Sequence, residues 1–473
     1  MKILEAVSNP IFKAVTEVAD QINQETYVVG GFVRDYLLNR GQKKDIDFVT
    51  VGNGILLAKE LSNKLGNTSQ VSVFKRFGTA MFKYQQTELE FVGARKESYS
   101  EDSRKPHVED GTLEDDQKRR DFTINTLAIS MNKATFGELI DPFNGVEDLN
   151  NKIIKTPLEP NVTYSDDPLR MMRAIRFAAQ LDFEIEKESF QSIIDNAERI
   201  NIVSFERVMD EFQKIMMTDK PSVGLLLLEQ SGLLQYILPE LIALKGIEEV
   251  EGQKHKDNFY HTLEVVDNIS ENTDNVWLRW AALLHDIGKA VTKRFDKKVG
   301  WTFHSHEFVG SKMTVKLFRR LKLPLGNQMK YVQKLVMMSS RPIAVVTDDA
   351  TDSALRRLLF DAGEDFDDLI TLCKADITTK NEKKQRRFKQ NFEVVEQKIK
   401  DVEERDHLRN FQPPISGEQI MELFDIKPGK EIGILKNAIK EAILEGEVEN
   451  NYNSALEFVI NMGKELNLVP KNI

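Results

Sequence analysis

Three carboxylates in the first hundred residues have the spacing of a metal site. Asp45 and Asp47 flank Ile46 at the start of a β-like run, DIDFVTV. Because side chains alternate between the two faces of a strand, both acids should lie on one face and Ile46 on the other. Glu90, in the run TELEFVG, could bring a third carboxylate to that face. The pattern predicts a divalent-metal site for two-metal phosphoryl or nucleotidyl transfer, with these three acids as its catalytic groups.

A glycine pair upstream of these acids has the pattern of a phosphate-binding turn. The segment VVGGFVRD passes from a β-like run through Gly30 and Gly31 into a predicted helix that carries Arg34. Free backbone N–H groups at such a turn, together with a guanidinium, can face a triphosphate. A single acid pair or glycine pair is usually an ordinary surface feature, so the prediction depends on finding both in this order.

A second pattern, DDPLRMMRAIRFAAQL, could read a nucleobase. If the helix begins at Asp166, then Asp167 and Arg170 share one face and Arg173 lies a turn further on. A carboxylate can accept from the exocyclic amine of cytosine or adenine while a guanidinium donates to the neighbouring ring nitrogen. Guanine and uracil present the reverse pattern and would leave buried polar groups unpaired, at a cost of roughly 1–3 kcal/mol each. The alternative is an ordinary surface ion pair.

Four residues in the second half of the chain have the order H…HD…D. They are His261, His285, Asp286 and Asp376, and the central pair lies in the apolar segment ALLHDIGKA. Ionisable groups in such surroundings are costly without a ligand, so the pattern predicts a buried divalent metal that could activate water for phosphoester hydrolysis. His306 is a candidate for a further ligand or a proton-transfer group, although a surface histidine is an equal alternative.

The elements that must hold these residues fall into four predicted domains. A helix at 10–24 and β-like runs at 27–29, 45–51, 71–84 and 87–93 indicate an α/β or α+β head. Beyond Pro157 the pattern is helical almost throughout, a polar connection is predicted at 247–258, and a solvated helix at 378–409. The predicted division is a head at 1–155, a neck at 156–246, a metal-binding domain at 247–400 and a tail at 401–473.

Composition restricts the class of protein. The 473 residues are 41% hydrophobic and 30% charged, and their net charge of -10 gives no overall sign of nucleic-acid binding, although local basic patches can still oppose phosphate. Cys373 is the only cysteine, so no disulfide can form within the chain. Without a signal segment or a long apolar run, we predict a cytoplasmic protein with no membrane partner.

The order of four motifs resembles the class II tRNA nucleotidyltransferase and bacterial poly(A) polymerase family. The motifs are GGFVRD, DIDFVT, RRDFTIN at 119–125 and DPFNG at 141–145. The resemblance implies an α+β fold, with a polymerase-beta-like nucleotidyltransferase head and an elongated all-α body. It also implies that Asp45 and Asp47 hold magnesium and that Glu90 assists. The implied nucleotide-binding residues are Gly30, Gly31, Arg34, Arg119, Arg120, Asp121, Asn125, Asp167, Arg170, Arg173 and Arg176.

The body extends the resemblance. Its H…HD…D set is similar to the HD phosphohydrolases, and the whole chain resembles bacterial CCA-adding enzymes with an appended HD domain, whose members can process damaged or cyclic-phosphate RNA ends. The segment from Ser98 to Asp116 is similar to a flexible loop of members that add the terminal A, and residues 415–433 to their tRNA-side tail. Two departures from the family pattern, Asp166 in place of Glu and Thr126 in place of Ala, remove no base-reading group.

The implied function is the template-independent addition of C, C and A to the 3′ end of tRNA from CTP and ATP. The implied cofactors are Mg²⁺ at the head and a divalent metal of unspecified identity at the HD residues. A poly(A) polymerase shares the head motifs and stays open as an alternative. An HD hydrolase with a head used only for docking is a second alternative, against which the intact Asp45 and Asp47 argue. Oligomeric state is left open by the sequence.

Overall fold

The computed structural model describes residues 3–41, 45–66, 70–75, 78–100, 103–347, 351–379, 381–406 and 411–471. The chain forms two compact units, residues 1–239 and 240–473. The first contains a mixed sheet followed by helices, and the second is almost entirely helical. The predicted α+β fold with a helical body is therefore confirmed.

The first unit contains the seven strands of the main sheet and two further two-stranded sheets. Their bounds are β1 Glu25–Val29, β2 Asp45–Val51, β3 Ser72–Phe74, β4 Thr79–Tyr84, β5 Thr87–Gly93, β6 Arg95–Ser100, β7 Ser103–Asp110, β8 Ala128–Ser130, β9 Leu139–Ile140, β10 Ile153–Ile154 and β11 Glu184–Ile185. Its helices are α1 Pro10–Gln21, α2 Gly31–Leu37, α3 Gly54–Lys64, α4 Leu113–Lys118, α5 Gly145–Asn151, α6 Pro160–Asp166, α7 Leu169–Leu181, α8 Lys187–Asn196, α9 Phe205–Met216, α10 Pro221–Gln230 and α11 Leu234–Ile237, after which α12 Pro239–Ile242 spans the boundary between the units.

The second unit has two small antiparallel hairpins among its helices. The hairpin strands are β12 Glu249–Val250, β13 Gln253–Lys254, β14 Arg294–Asp296 and β15 Gly300–Thr302. The helices are α13 Asn258–Ser270, α14 Val276–Leu284, α15 Lys289–Thr292, α16 His306–Arg320, α17 Asn327–Met338, α18 Arg341–Thr347, α19 Asp352–Ala362, α20 Phe366–Asp376, α21 Glu382–Asp406, α22 Gly417–Phe424, α23 Lys430–Glu445 and α24 Tyr452–Glu465.

The main sheet sets the positions of the predicted head acids. Its strand order is β3-β4-β5-β2-β1-β8-β9, in which only the β2–β5 pair is parallel. Phe48 of β2 and Phe91 of β5 are fully buried and stack with their ring centroids 4.9 Å apart. This apolar face fixes the register of the two strands, because a slip of one residue would turn every side chain to the opposite face.

A buried network of charged groups holds α7 against the head. Asp121 accepts hydrogen bonds from Arg173 Nε at 2.7 Å and from Asn125 Nδ2 at 2.9 Å. Asn125 in turn accepts from Arg34 Nη1 at 2.8 Å. Burial alone would raise the pKa of Asp121, but the charge of Arg173 and the hydrogen bonds from Asn125 and Arg173 outweigh it and lower that pKa to about 2. The carboxylate therefore stays ionised inside the unit.

An aromatic ring completes the network. The guanidinium carbons of Arg34, Arg173 and Arg176 lie 4.9, 5.5 and 3.9 Å from the centroid of the Phe177 ring. Arg176 also donates to Glu211 of α9 at 2.5 Å. Three cations around one ring are tolerated because each also has a carboxylate or amide partner.

Several sequence predictions need correction. The first helix ends at Gln21 rather than at residue 24, and the predicted connection at 247–258 contains the β12–β13 hairpin. The segment from Ser98 to Asp116, which resembles a flexible loop, contains the end of β6, the whole of β7 and the start of α4; its residues 101–102 lie outside the described residues. The predicted solvated helix is α21, which buries one face through Phe392, Val395, Ile399 and Val402. No helix among the described residues is both long and apolar enough to cross a membrane.

We predict that Asp121→Asn loosens α7. The change leaves the charge of Arg173 buried with less compensation, and we expect the free energy of local opening to fall by about 3 kcal/mol near neutral pH. All three tryptophans, Trp277, Trp280 and Trp301, lie in the second unit, so the measurement is amide hydrogen exchange of α7 peptides rather than fluorescence.

The contribution of Asp121 to the stability of α7 depends on pH with a definite sign. The pKa of Asp121 is lowered in the folded state, so its contribution is present above the unfolded pKa of about 3.9 and is lost as the pH falls towards 2. The difference between wild type and Asp121→Asn in the free energy of α7 opening should shrink over that interval. Asp182→Asn is the control, because Asp182 forms only an exposed 3.6 Å ion pair with Lys152. Equal α7 exchange in wild type and Asp121→Asn would contradict the role of the network.

Candidate functional sites

The head acids lie on adjacent strands at the same level. In the parallel β2–β5 pair, Asp47 is opposite Glu90 and Asp45 is opposite Glu88. Asp45 and Asp47 are exposed, whereas Ile46 between them is buried. Burial raises the pKa of Glu90, and the charges of Asp47 and Glu88 raise it further. The predicted three acids thus share one face with a fourth, Glu88, which the sequence prediction missed.

Gly30 brings the phosphate-binding turn next to these acids. It precedes α2 with a φ of 70°, a conformation that favours glycine. A Cβ at this position would lie 3.2 Å from Arg120 Nη1 and 3.8 Å from Asp47 Oδ2. Glycine therefore leaves an open cradle between a guanidinium and a carboxylate. Oxygen ligands beside such a cradle fit magnesium and a triphosphate.

Asp116 orients the arginine pair. Its fully buried carboxylate accepts from Arg119 Nε at 2.9 Å and from Arg120 Nε at 3.1 Å. Burial would raise the pKa of Asp116, but both guanidinium charges oppose this and lower it. The sequence prediction missed Asp116, although it precedes the arginines by three and four residues at the end of a helix, a spacing that indicates contact.

The other predicted nucleotide-binding residues fall into two groups in the structure. Gly31 begins α2 beside the cradle. Arg34, by contrast, is buried and donates to Asp35 at 2.8 Å and to Asn125, and so belongs to the network around Asp121. Arg173 and Arg176 belong to the same network.

The predicted base-reading pair does not lie on one helix. The helix α7 begins at Leu169, and Asp167 is the cap residue that ends α6, so the predicted helix start at Asp166 is wrong. The guanidinium of Arg170 donates to the carbonyl oxygens of Thr163 and Arg119. Arg170 also lines a cavity of about 190 Å³ whose wall includes Asp166 but not Asp167. Its other lining residues are Lys96, Asp115, Lys118, Arg119, Leu158, Val162 and Thr163.

The H…HD…D residues converge in the second unit. His261 Nε2 lies 2.8 Å from Asp376 Oδ1 and 3.6 Å from Asp286 Oδ2. His285 Nε2 lies 3.3 Å from Asp286 Oδ2 and 3.5 Å from Asp376 Oδ1. Three helices meet here, since His261 is on α13, the His285–Asp286 pair directly follows α14, and Asp376 ends α20.

The ring of His285 has an orientation that suits a metal ligand. Its Nδ1 lies 2.7 Å from the carbonyl oxygen of Ala282, an arrangement that leaves the Nε2 lone pair towards the cluster when the ring is neutral. Within the described residues, that buried Nε2 forms no hydrogen bond of good geometry, although the carboxylates of Asp286 and Asp376 lie within 3.5 Å of it. Burial alone would lower the pKa of His285, but Asp286 and Asp376 reverse the effect and raise it to about 10. A divalent cation bound by the same atoms would take the place of that proton.

Further polar groups surround the cluster. Lys256 Nζ lies 2.7 Å from His261 Nδ1 and also contacts Thr378. Lys289 Nζ donates to Asp286 at 2.6 Å, and His306 Nε2 lies 3.4 Å from Asp286 Oδ1, so the predicted extra histidine is beside the site. A cavity of about 420 Å³ opens on Asp376 and is lined by Lys256, Ile343, Ile377, Thr378, Thr379 and Phe388.

The two candidate metal centres differ in compactness. Within the described ranges, His261, His285 and Asp286 are the only group of three or more possible ligands whose donor atoms all lie within 4.8 Å of one another. The head carboxylates are spaced more widely. Sequence patterns predicted the candidate ligands but not the neighbouring Lys256 and Thr378, because lysine and threonine at these positions belong to no motif.

Three family models match successive parts of the chain. Residues 26–155 match the poly A polymerase head domain, residues 182–245 match a probable RNA- and SrmB-binding site of polymerase A, and residues 258–377 match the HD domain. These ranges contain the head acids and all four H…HD…D residues.

Named relatives agree with these matches. An A-adding tRNA nucleotidyltransferase of Deinococcus radiodurans is 33% identical over 347 residues, which are 71% of this chain and 76% of the relative. A CCA-adding enzyme of Pediococcus pentosaceus is 27% identical over 456 residues, covering 96% of this chain and 98% of the relative. The chain spans only 34% and 27% of two longer A-adding relatives, from Aquifex aeolicus and Geobacter sulfurreducens.

A solved structure has the same fold over nearly the whole length. The Thermotoga maritima CCA-adding enzyme complexed with tRNA superposes with a TM-score of 0.62 at 20% identity, covering 98% of this chain and 99% of that one. The Deinococcus match is close and long enough to establish kinship. The chain therefore belongs to the tRNA nucleotidyltransferase and poly(A) polymerase family, in a form that carries an HD domain.

Proposed function

We propose that this protein adds C, C and A to the 3′ end of tRNA from CTP and ATP without a template. One observation carries the proposal: Asp47 and Glu90 lie opposite each other on parallel strands, beside the cradle at Gly30 and the Arg120 guanidinium. Carboxylates beside a phosphate-binding turn provide what nucleotidyl transfer requires. The named relatives that are A-adding or CCA-adding tRNA nucleotidyltransferases support tRNA as the substrate.

The head residues have distinct roles in this proposal. Asp45, Asp47 and Glu90 would hold magnesium, which when bound assists deprotonation of the RNA 3′-hydroxyl and neutralises charge on the leaving pyrophosphate. Gly30 and Gly31 let the triphosphate approach the backbone, and Arg120 supplies positive charge next to Asp47. Asp116 acts through Arg119 and Arg120, because its two oxygens fix both side chains.

Base selection would come from the junction of α6 and α7. We assign base contacts to Asp167 and Arg170 and a supporting role to Arg173 and Arg176, which the Asp121–Glu211 network holds in place. Arg170 would exchange its carbonyl partners for a ring nitrogen of cytosine or adenine. Because Asp166 rather than Asp167 lines the adjoining cavity, Asp166 is the alternative acid.

A specific cluster favours a second activity. We propose that His261, His285, Asp286 and Asp376 hold a divalent metal for phosphoester hydrolysis, with His306 as a neighbouring proton-transfer group. The mixed imidazole and carboxylate donors suit a transition metal or magnesium, which when bound would activate water. Lys256 and Thr378 would bind the phosphate in the adjoining cavity.

The proposed division of the chain is a head, a neck, an HD domain and a tail, with the bounds given by the sequence. The proposed location is the cytoplasm, where tRNA and nucleotides are present.

The test of nucleotide addition is a product assay at single-nucleotide resolution. We expect tRNA ending before CCA, incubated with Mg²⁺ and the four nucleotides singly and together, to be extended to CCA and no further. Asp45→Ala and Asp47→Ala should each lower the rate at least about a thousandfold by removing a magnesium ligand. Glu60→Ala, an exposed acid on α3, is the matched control.

Other products would point to other activities. A single A added only to tRNA ending in CC would make the protein an A-adding enzyme, and a long ladder with ATP alone would make it a poly(A) polymerase. Full activity in Asp45→Ala would exclude the metal assignment, and absence of addition by the wild type would leave the HD hydrolase as the main activity.

Base selection predicts a change in specificity rather than a general loss of rate. In the double variant Asp167→Ala, Arg170→Ala, the ratio of UTP and GTP incorporation to CTP and ATP incorporation should rise at least about tenfold. In wild type the wrong bases leave the Asp167 and Arg170 side chains unpaired, and the variant lacks these side chains, so that penalty disappears. Incorporation ratios with each nucleotide in competition give the measurement. Asp166→Ala separates the two neighbouring acids: if it relaxes selection and Asp167→Ala does not, Asp166 is the base-reading acid. Unchanged ratios in all three variants would contradict the proposal.

Metal binding at the HD residues predicts a stabilised second unit. Adding Mg²⁺, Mn²⁺ or Ni²⁺ should raise the thermal midpoint seen by tryptophan fluorescence, because a metal bound at a hundred times its Kd adds about 2.7 kcal/mol. Asp376→Asn should reduce the shift, whereas His304→Ala, an exposed neighbouring histidine, should preserve it. A chelator should reverse the shift in wild type. A wild-type midpoint that responds to none of the three ions would contradict the metal site.

A further inference from the structure

Three histidine rings surround Asp286, and each turns one nitrogen towards the cluster and the other away from it. The inward atom is Nε2, which lies 3.6, 3.3 and 3.4 Å from an oxygen of that carboxylate in His261, His285 and His306. A neutral imidazole carries one proton, so a ring can bind a metal through Nε2 only when its proton is on Nδ1. The group that faces Nδ1 therefore decides whether the ring can be a ligand.

Two of the rings have a hydrogen-bond acceptor on the outer side. His285 Nδ1 lies 2.7 Å from the carbonyl oxygen of Ala282, and His306 Nδ1 lies 2.9 Å from the carbonyl oxygen of Phe303. A carbonyl oxygen can only accept, so in the neutral ring each Nδ1 carries the proton and each Nε2 presents a lone pair to the cluster. Both rings thus have the tautomer that a metal ligand needs.

His261 differs, because a cation lies on its outer side. Its Nδ1 is 2.7 Å from Lys256 Nζ and 3.0 Å from Thr378 Oγ1, and Lys256 also donates to Thr378. An ammonium has donors and no acceptor, so it can approach Nδ1 this closely only when Nδ1 is bare and accepts from it. The proton of the neutral ring is then on Nε2, which lies 2.8 Å from Asp376 Oδ1. In this arrangement a proton occupies the nitrogen that would bind the metal.

Thr378 can support the other tautomer. A hydroxyl is both donor and acceptor, so Thr378 Oγ1 can accept a hydrogen bond from a protonated His261 Nδ1 at the separation that the two atoms already have. The Lys256 side chain has space to leave the ring, because it lines the cavity of about 420 Å³ at Asp376. The proton then moves from Nε2 to Nδ1, and the number of protons on the ring is unchanged.

We propose that Lys256 and Thr378 are opposed positioning residues for His261. Lys256 holds the tautomer that excludes a metal, and Thr378 holds the tautomer that binds one. Metal ligation by His261 therefore displaces the Lys256 ammonium from the ring into the adjoining cavity, so this lysine becomes available to phosphate only when the metal is in place. The proposal rests on the metal site proposed above for the HD residues, and it assigns the groups that control occupancy of that site.

Metal affinity should respond in opposite directions to substitution of the two positioning residues. Isothermal titration calorimetry with Mn²⁺ or Ni²⁺ gives the Kd of the HD residues in the full chain carrying Asp45→Ala and Asp47→Ala, which removes the head ligands. Lys256→Met should lower this Kd roughly tenfold, because the ring no longer has to release an ammonium. Thr378→Val should raise it roughly tenfold, because a protonated Nδ1 loses its acceptor.

Two comparisons separate the tautomer from simple repulsion between cations. Thr378→Val changes no charge, so repulsion cannot account for its effect on the Kd. The control Lys254→Met removes a charge two residues before Lys256, where Lys254 forms an exposed 3.1 Å ion pair with Glu249, and it should leave the Kd unchanged.

The proton on the His261 ring is measured by ¹⁵N NMR of the histidine side chains, since protonated and bare ring nitrogens have well-separated shifts. The chain has seven histidines, so the His261 signals are identified by their absence in His261→Gln, and the others report whether each variant is folded. With a chelator present, we expect a bare Nδ1 in wild type and a protonated Nδ1 in Lys256→Met. Saturating Mg²⁺ or Zn²⁺ should protonate Nδ1 in wild type. Lys289→Met removes a cation that donates to Asp286 at 2.6 Å rather than to an imidazole, and it should keep the wild-type tautomer.

The outcomes separate this proposal from the metal site on which it rests. If wild type and every variant bind none of the ions, the metal site and this proposal both fail. If an ion binds wild type, Lys256→Met and Thr378→Val with equal Kd, the metal site stands and the roles of Lys256 and Thr378 are wrong. A protonated Nδ1 in wild-type His261 with the chelator present would likewise overturn the proposal and leave the metal site standing.

Discussion

The buried carboxylate of Asp121 is the constraint on which the first unit depends. An ionised acid inside a protein is tolerated only when charge and hydrogen bonds replace the water it has lost. Arg173 and Asn125 do so here, and Asn125 extends the network to Arg34. Because these partners come from α2, the turn after Asp121 and α7, satisfying one carboxylate fixes three elements together. The junction of α6 and α7, where we place base selection, is therefore built on a rigid polar support rather than on apolar packing alone.

The two candidate metal centres show how burial changes the chemistry of similar ligands. In the head, Asp45 and Asp47 are exposed on a strand, and their repulsion is weakened by water. In the second unit, Asp286 and the two imidazoles are almost completely buried, so positive charge must be present to keep the carboxylates ionised. Burial opposes ionisation of Asp286, yet His285 and its other partners hold the pKa of Asp286 well below its usual range. An open carboxylate site suits exchange of a magnesium-bound nucleotide, whereas a closed histidine and carboxylate site suits a resident ion.

Patterns of period two located the strands that carry the head acids, and the fixed order of motifs indicated the family. The DIDFVTV alternation gave the shared face of Asp45 and Asp47, since strand geometry leaves no other arrangement, and the order of motifs gave the family. Such patterns do not predict which residues contact one another in the folded protein. No local pattern indicates that Arg34 is buried against Asn125, ninety-one residues away in the sequence. The start of α7 was misplaced because Pro168 forces the residue before it out of the helical region, an effect that helix periodicity does not register.

Net charge was the sequence property that said least about nucleic-acid binding, because it averages over the whole chain. Acids and bases are unevenly distributed along this chain, so the total of -10 conceals a segment, residues 289–347, in which cations greatly outnumber acids. Electrostatic attraction in salt extends about 8–10 Å, so a polyanion responds to the cations near its binding path and hardly at all to acids elsewhere on the molecule. A negative total charge therefore does not exclude phosphate binding where cations are locally in excess.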